Sequence, residues 1–269
     1  MKYGICNEIF KGWALEKMFS FISSLGYTGL EIAPFTFEDS VEKISVATKQ
    51  QIKDCAQKYN VSIIGCHWLL TKPEGLSLTS PDVLIREKTA RYMCKLVEFT
   101  ADIAGEIMVL GSPNQRNIGK GQSLPEVKKY IKEALIPSLE MCKNKNIDIC
   151  LEPLTKKETN FINTAQEAIE FIQEVSHPNL KLHLDVKAMS AESKPIPDII
   201  RDSKKYLRHF HVNDANRRHP GSGDIDYAPI IKALKDIGYK GWLSLEVFDF
   251  SPGAETIAQE SIQYLKRFV

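Results

Sequence analysis

The chain has almost no excess of either charge: 35 Lys and Arg stand against 34 Asp and Glu. Without a basic stripe, the electrostatic footprint of a nucleic-acid binder is missing. No apolar run approaches the ~20 residues that cross a bilayer, so no membrane partner is expected. An apolar segment starts almost at once (Lys2-Tyr-Gly-Ile-Cys-Asn7), which leaves no room for a signal peptide and points to a cytoplasmic protein. The six cysteines (Cys6, Cys55, Cys66, Cys94, Cys142, Cys150) are scattered, with no C-x-x-C and no zinc-type pairing. Cys6, Cys66 and Cys150 lie in or beside predicted strands, where cysteine behaves as a small buried hydrophobe. Low-complexity and linker-like stretches are also lacking. With 269 residues, a single domain spanning 1–269 is expected.

What is present is an alternation repeated eight times. Candidate strands begin at Lys2, Gly29, Val61, Glu106, Asp148, Lys181, Leu207 and Gly241, and helical periodicity fills the stretches between them. Leu15, Met18, Phe19, Ile22 and Leu25 mark one apolar stripe; Val127, Ile131, Leu135, Leu139 and Cys142 mark another. Gly26 and Gly238 punctuate helix ends. Ser80-Pro81-Asp82 reads as a helix cap with proline at the first helical position, and Pro137 is expected to bend the fifth helix. Eight strand–helix units of this length predict an α/β fold, a single (β/α)8 barrel with its active site at the C-terminal face of the strands. A doubly wound open sheet is disfavoured because no glycine-rich phosphate turn follows the first strand. Three loops at the expected mouth are long or glycine-rich: Thr71 to Thr79, Gly111 to Gly121, and Asn213 to Asp226.

Four apolar segments each end in a side chain that can bind metal: Asp148-Ile-Cys-Leu-Glu152, Lys181-Leu-His-Leu-Asp185, Leu207-Arg-His-Phe-His211 and Gly241-Trp-Leu-Ser-Leu-Glu246. The intervals between the four end residues are 33, 26 and 35, which suits parallel strands joined by helical crossovers. Three carboxylates and one imidazole gathered in one place repel one another unless a divalent cation lies between them. This oxygen-rich donor set suits one ion of Mn²⁺, with Mg²⁺ or Co²⁺ as alternatives. Such a site leaves coordination positions open for a carbonyl and an adjacent hydroxyl of a sugar. Loss of the proton alpha to the carbonyl then gives an enediolate. Glu152 and Glu246, on opposite faces of that carbon, are the expected acid/base pair for epimerisation. A single base moving the proton between carbons gives aldose–ketose isomerisation instead.

The segments Leu151-Glu152-Pro153-Leu154, Leu184-Asp185, His209-Phe210-His211-Val212 and Leu245-Glu246-Val247, with Arg217 and Gly221-Ser222-Gly223-Asp224, resemble the xylose isomerase-like TIM-barrel superfamily. Within it the chain is similar to the ketose 3-epimerases of the D-tagatose/D-psicose type. The resemblance implies Glu152, Asp185, His211 and Glu246 as metal ligands, and Glu158 and Arg217 as holders of substrate hydroxyls. His67, Cys66 and Trp13 are further candidates for lining the pocket, and Trp68 is a candidate aromatic wall. His183 and His209 share strands with Asp185 and His211 and read equally as orienting residues or core. One departure matters: those epimerases carry a histidine three residues after the strand-six aspartate, and here Ala188 stands in its place. Lys187, in the same loop, is the nearest polar replacement.

The expected partner is a small, unphosphorylated sugar, since the loop Phe248-Asp-Phe-Ser-Pro-Gly253 offers no cation to a phosphate. A homo-oligomer is compatible with the sequence. The alternative activity is a metal-dependent lyase or dehydratase on a keto-sugar or keto-inositol, which shares the first half-reaction. A non-catalytic sugar-binding module would not need two opposed glutamates. An AP-endonuclease-like role is remote, because Ala188 and the Gly223–Asp226 loop lack that group's additional histidines.

Overall fold

In the computed structural model, which describes residues 1–268, eight parallel strands close into a barrel in chain order. They are β1 (Lys2–Cys6), β2 (Gly29–Ile32), β3 (Ser62–Cys66), β4 (Ile107–Leu110), β5 (Asp148–Leu151), β6 (Leu180–Asp185), β7 (Leu207–Val212) and β8 (Trp242–Leu245). Helices α1 (Leu15–Leu25), α2 (Val46–Tyr59), α3 (Val83–Asp102), α4 (Leu124–Lys145) and α5 (Ala165–Val175) follow the first five strands. A single turn, α6 (Val186–Met189), comes directly after β6; α7 (Ile196–Asp202), α8 (Tyr227–Asp236) and α9 (Ala254–Leu265) complete the ring. None of the described helices is long and apolar enough to cross a membrane.

Four expected strand starts coincide with the observed ones, and the other four differ by one residue, at Ser62, Ile107, Leu180 and Trp242. Sequence periodicity places a strand; the neighbour's carbonyls decide which residue begins it. Two local expectations are corrected. The helix after β3 is capped by Asp82, whose side chain accepts from the Leu84 amide, and not by Ser80. Pro81 therefore lies outside α3, while the Ser80 hydroxyl accepts from the Asp82 amide. Pro137 lies in the fourth α-helix and not the fifth, and that helix runs on to Lys145. That helix starts with a capping box, Ser123 and Glu126 each accepting from the other's amide. Gly26 ends α1 in the left-handed region that glycine tolerates best (φ 98°).

Each strand alternates between the helices and the barrel interior. The outward face joins a large apolar layer that takes in the buried stripes of α1 and α4. The lower interior is a separate small cluster of Ile64, Ile107, Val109, Cys150 and Trp242. Glycines make room for its bulkiest members: a Cβ on Gly29 would lie 2.5 Å from the Trp242 ring, and one on Gly4 would lie 2.5 Å from Ile64 Cδ1. Above this plug the interior turns polar. Cys6, Glu31, His183, His209, His211 and Ser244 are all fully buried there. Register shifts fall directly before Glu31 on β2 and His183 on β6, where one residue more or less decides which side chain faces inward.

The tightest backbone approach is between β3 and β4, where a Cβ on Gly65 would sit 1.8 Å from the Ile107 carbonyl oxygen. Backbone cannot rotate away as a side chain can. Gly65→Ala is therefore expected to cost ~3 kcal/mol or more in urea unfolding; a loss under ~1 kcal/mol would show that β3 and β4 separate without penalty.

Candidate active site

The barrel gathers the four strand-end residues. Glu152 lies one residue beyond β5, Asp185 ends β6, His211 lies within β7, and Glu246 lies one residue beyond β8. One ligand atom from each lies within 4.8 Å of the other three, and all four residues are buried. Their side chains are separately anchored. Asp185 accepts from the Ala188 amide at 2.7 Å and from the Asn213 side-chain amide. Glu246 lies 3.0 Å from His211 Nδ1 and 3.1 Å from His67 Nδ1. The other edge of the His211 ring faces Glu31, with Nε2 3.2 Å from each carboxylate oxygen.

The electrostatics are unequal across the cluster. Burial, then the nearby Glu246 and Asp185 carboxylates, push the Glu152 carboxyl up to about 8. Asp185 is also raised, chiefly by burial. Glu246 is buried too, but His211 and His67 outweigh that and hold it well below the usual carboxylate range. Burial opposes a charge on His211, yet Glu31 and Glu246 hold its pKa well above the usual histidine value. Gly111 leaves the space that the Glu152 carboxylate occupies, since a Cβ there would lie 2.3 Å from Oε2. Three buried carboxylates, one of them short of donors, beside an imidazole oriented by a further carboxylate form a set that suits a divalent cation.

The remaining candidates separate. His67 is brought in: Nε2 lies 3.0 Å from Glu8 and Nδ1 faces Glu246, so the ring links two carboxylates. Cys66 is turned away. Strand alternation sends its thiol outward to accept from the Thr100 hydroxyl on α3 at 3.3 Å, and burial pushes the thiol up to about 12. Trp13 packs with Phe10 and Phe21, its ring centroid 5.3 and 5.4 Å from theirs. Trp68, by contrast, lines a cavity of about 60 Å³ together with His67, Glu152, Glu158, Glu246 and Phe248. Glu158 and Arg217 border an adjoining groove of about 770 Å³, and Glu158 lines both spaces. His183 packs against His211 with ring centroids 4.1 Å apart, and among the described residues neither of its nitrogens has a hydrogen-bond partner.

Four polar residues that local sequence pattern does not single out support the cluster. Glu31 joins His209, His211 and Ser244 across the barrel. Glu8 holds His67 from the turn after β1. Asn213 links the Asp185 carboxylate to the Lys187 amide. Arg116, 1% exposed, donates to the Glu152 carbonyl at 2.7 Å from the loop after β4. Burial lowers it to about 10, so the guanidinium remains charged behind Glu152. A lone carboxylate inside the apolar run Gly29-Leu-Glu-Ile32 was the available signal for Glu31, since burying it without a partner is costly.

A family model described as "Xylose isomerase-like TIM barrel" matches residues 19–268. A D-psicose 3-epimerase of Ruminiclostridium cellulolyticum is 30% identical over 239 residues, covering 84% of this chain and 76% of that protein. A probable ketose 3-epimerase of Synechocystis is 26% identical over 288 residues, covering 99% of this chain and 96% of the relative. Among solved structures, that of D-psicose 3-epimerase with D-tagatose from Clostridium cellulolyticum H10 superposes with a TM-score of 0.85 at 25% identity, covering 100% and 99% of the two chains.

The raised Glu152 sets a pH dependence in the metal-free protein. Its carboxyl goes from 4.5 in an unfolded chain to about 8 when folded, so between these values the folded state binds more protons. Stability supplied at that position therefore falls as pH rises through the window. Glu152→Gln, with no proton to lose, is expected to gain stability over the parent as pH goes from 5 to 8. The gain should reach ~3 °C or more in Tm at pH 8 with chelator present. A Tm difference that stays constant with pH would show that Glu152 is not under this strain.

Proposed function

From a chain that belongs to the xylose isomerase-like TIM-barrel family, we propose a divalent-metal-dependent epimerase acting on an unphosphorylated keto-sugar. The observation that carries the reading is the convergence of Glu152, Asp185, His211 and Glu246 within 4.8 Å beside a cavity lined by the two glutamates. The relatives named D-psicose and ketose 3-epimerase support the same class of reaction.

In this reading the four residues hold one cation, Mn²⁺ by preference and Mg²⁺ or Co²⁺ otherwise. When bound, it would supply Lewis acidity toward the substrate's carbonyl and neighbouring hydroxyl oxygens. The protein supplies the proton chemistry. Glu246, kept ionised by His67 and His211, is suited to remove the proton alpha to the carbonyl, giving an enediolate. Glu152, which lines the same cavity, is suited to return a proton from the opposite face. In the reverse direction the roles exchange. Arg116 and Gly111 keep Glu152 placed, while Glu31 fixes the ring of His211. Trp68 and Phe248 offer apolar faces to a sugar ring or chain.

Two features favour a substrate without phosphate. Arg218 is already tied to Asp249 at 2.7 Å and to Ser251. The helix N-terminus that faces the groove, that of α5, is satisfied by the Thr164–Glu167 capping box and by Glu192, which accepts from the Ala165 amide. Neither is free to cradle an anion in the way phosphate sites do.

Glu152→Gln and Glu246→Gln are each expected to lower kcat by at least ~10²–10⁴-fold while leaving a folded protein. Chelation should abolish turnover and added Mn²⁺ restore it. With a ketose in deuterated water, one deuterium should enter at a single carbon with no loss of water. Release of water would point to the lyase alternative. A higher kcat/KM for a ketose phosphate than for its free sugar would overturn the unphosphorylated substrate.

A further inference from the structure

Lys187 is 9% exposed, on the single turn α6 that follows Asp185. Its position is fixed at both ends: the backbone amide donates to Asn213 Oδ1 at 2.8 Å, and the carbonyl accepts from the Ser190 hydroxyl at 2.7 Å. The side chain runs into the barrel mouth, where Nζ lies 2.7 Å from Glu158 Oε1 and 4.2 Å from the centroid of the Phe248 ring. Glu158 is held in turn by the Thr155 amide and hydroxyl, at 3.1 and 2.8 Å on Oε2. Lys187 borders the larger groove, Phe248 borders the inner cavity, and Glu158 borders both. The ion pair therefore stands where the two spaces meet.

Ammonium carries three N–H donors and no acceptor. Among the described residues, Nζ of Lys187 makes one hydrogen bond, to Glu158. The remaining donors face the aromatic ring and the open space. Beside them is a carboxylate, which only accepts. A donor that cannot accept, fixed next to an acceptor that cannot donate, matches both halves of one hydroxyl group: its oxygen takes a hydrogen bond from Lys187 and its proton goes to Glu158. The adjacent Ala188 offers only a methyl group, and its amide is already spent on Asp185. No donor from that position competes with the lysine.

We propose that Lys187, beside the Glu158 that the family resemblance already implies as a holder of substrate hydroxyls, is the specificity-determining residue of this site, reading a single substrate hydroxyl outside the pair of oxygens held at the Glu152–Asp185–His211–Glu246 cluster. This rests on the sugar epimerase reading above. With an analogue that lacks the matching hydroxyl the ion pair persists at 2.7 Å, but a second ammonium donor and the carboxylate's remaining acceptor capacity face the bound substrate unfilled, which disfavours that analogue. The pair also sorts substrates by chain geometry, since the hydroxyl must reach the junction between cavity and groove while the reacting carbon stays between Glu152 and Glu246.

The test uses the Mn²⁺-loaded enzyme, its best free ketose, and a series of ketoses each lacking one hydroxyl, compared for the parent and Lys187→Met. For the parent, one deoxy member is expected to fall ~100-fold or more in kcat/KM. In Lys187→Met the full ketose should fall to nearly the same value, so that its advantage over that one member shrinks to ~3-fold or less. Ratios for the other members should hold, and Mn²⁺ affinity by calorimetry should be unchanged because Lys187 is not a ligand. Glu158→Gln should erase the same ratio, and it serves if the lysine variant does not fold. An equal fall across the whole series, or no change, would overturn the proposal while leaving the epimerase reading intact. A parent that turns over no ketose would overturn both.

Discussion

Mutual repulsion among buried carboxylates is the constraint around which this barrel is organised. Glu152, Asp185 and Glu246 converge with His211 in a place that water reaches poorly. Removing such charges from water costs several kcal/mol each unless they are compensated. The cluster shows that cost most plainly at Glu152, whose carboxyl is pushed up to about 8, and Asp185 is raised as well. Much of the surrounding polar structure offsets the same charge. Arg116 lies behind Glu152, Lys187 lies across the mouth, and His67 and His211 flank Glu246.

This explains why the upper barrel interior is not filled with branched aliphatic residues, as a barrel built for stability alone would be. Cys6, Ser244, Glu31, His209 and His211 form a connected polar column above the apolar plug around Trp242. Glu31 at its centre is fully buried and lowered well below the usual carboxylate range: burial opposes its charge, but His209 and His211 outweigh it. A half-satisfied column would be worse than an apolar core. His183, beside the column, has no hydrogen-bond partner among the described residues, and burial, then the neighbouring His211 and His209, keep it neutral. Fixing the His211 ring is what the column contributes to the mouth above it.

The same economy is visible in the loops. Asn213 uses one amide twice, orienting Asp185 through its NH₂ group and anchoring the Lys187 backbone through its oxygen. A change at Asn213 would therefore disturb the carboxylate cluster and the Lys187–Glu158 ion pair together. Glu158, charged and set in the loop Lys156-Lys-Glu-Thr159, looks solvated by composition. The three-residue return to Thr155 draws it inward instead.

Strand positions and the quartet were legible in the sequence because both depend on local pattern. An apolar run of four to six residues ending in one polar side chain marks a buried parallel strand whose last residue emerges at the barrel mouth. Eight apolar runs at crossover spacing, four of them ending in this way, leave little choice of fold. The alternation of the barrel then decides what pattern cannot. His67 faces the site while Cys66, one residue before it, faces α3, and a one-residue difference in register would have reversed them. Glu31 and Arg116 were hidden because their partners lie far along the chain, on β7 and at the end of β5. Lys187 could be named from sequence as the polar neighbour of Ala188, but not aimed. Its direction comes from the Asn213 clamp and from Glu158, and those three residues meet only when β5, β6 and β7 are side by side. Chain order determined which elements form and which residue types reach the mouth. Closure of the barrel determined which of them face one another, because only closure brings strands that are distant in sequence within hydrogen-bonding distance.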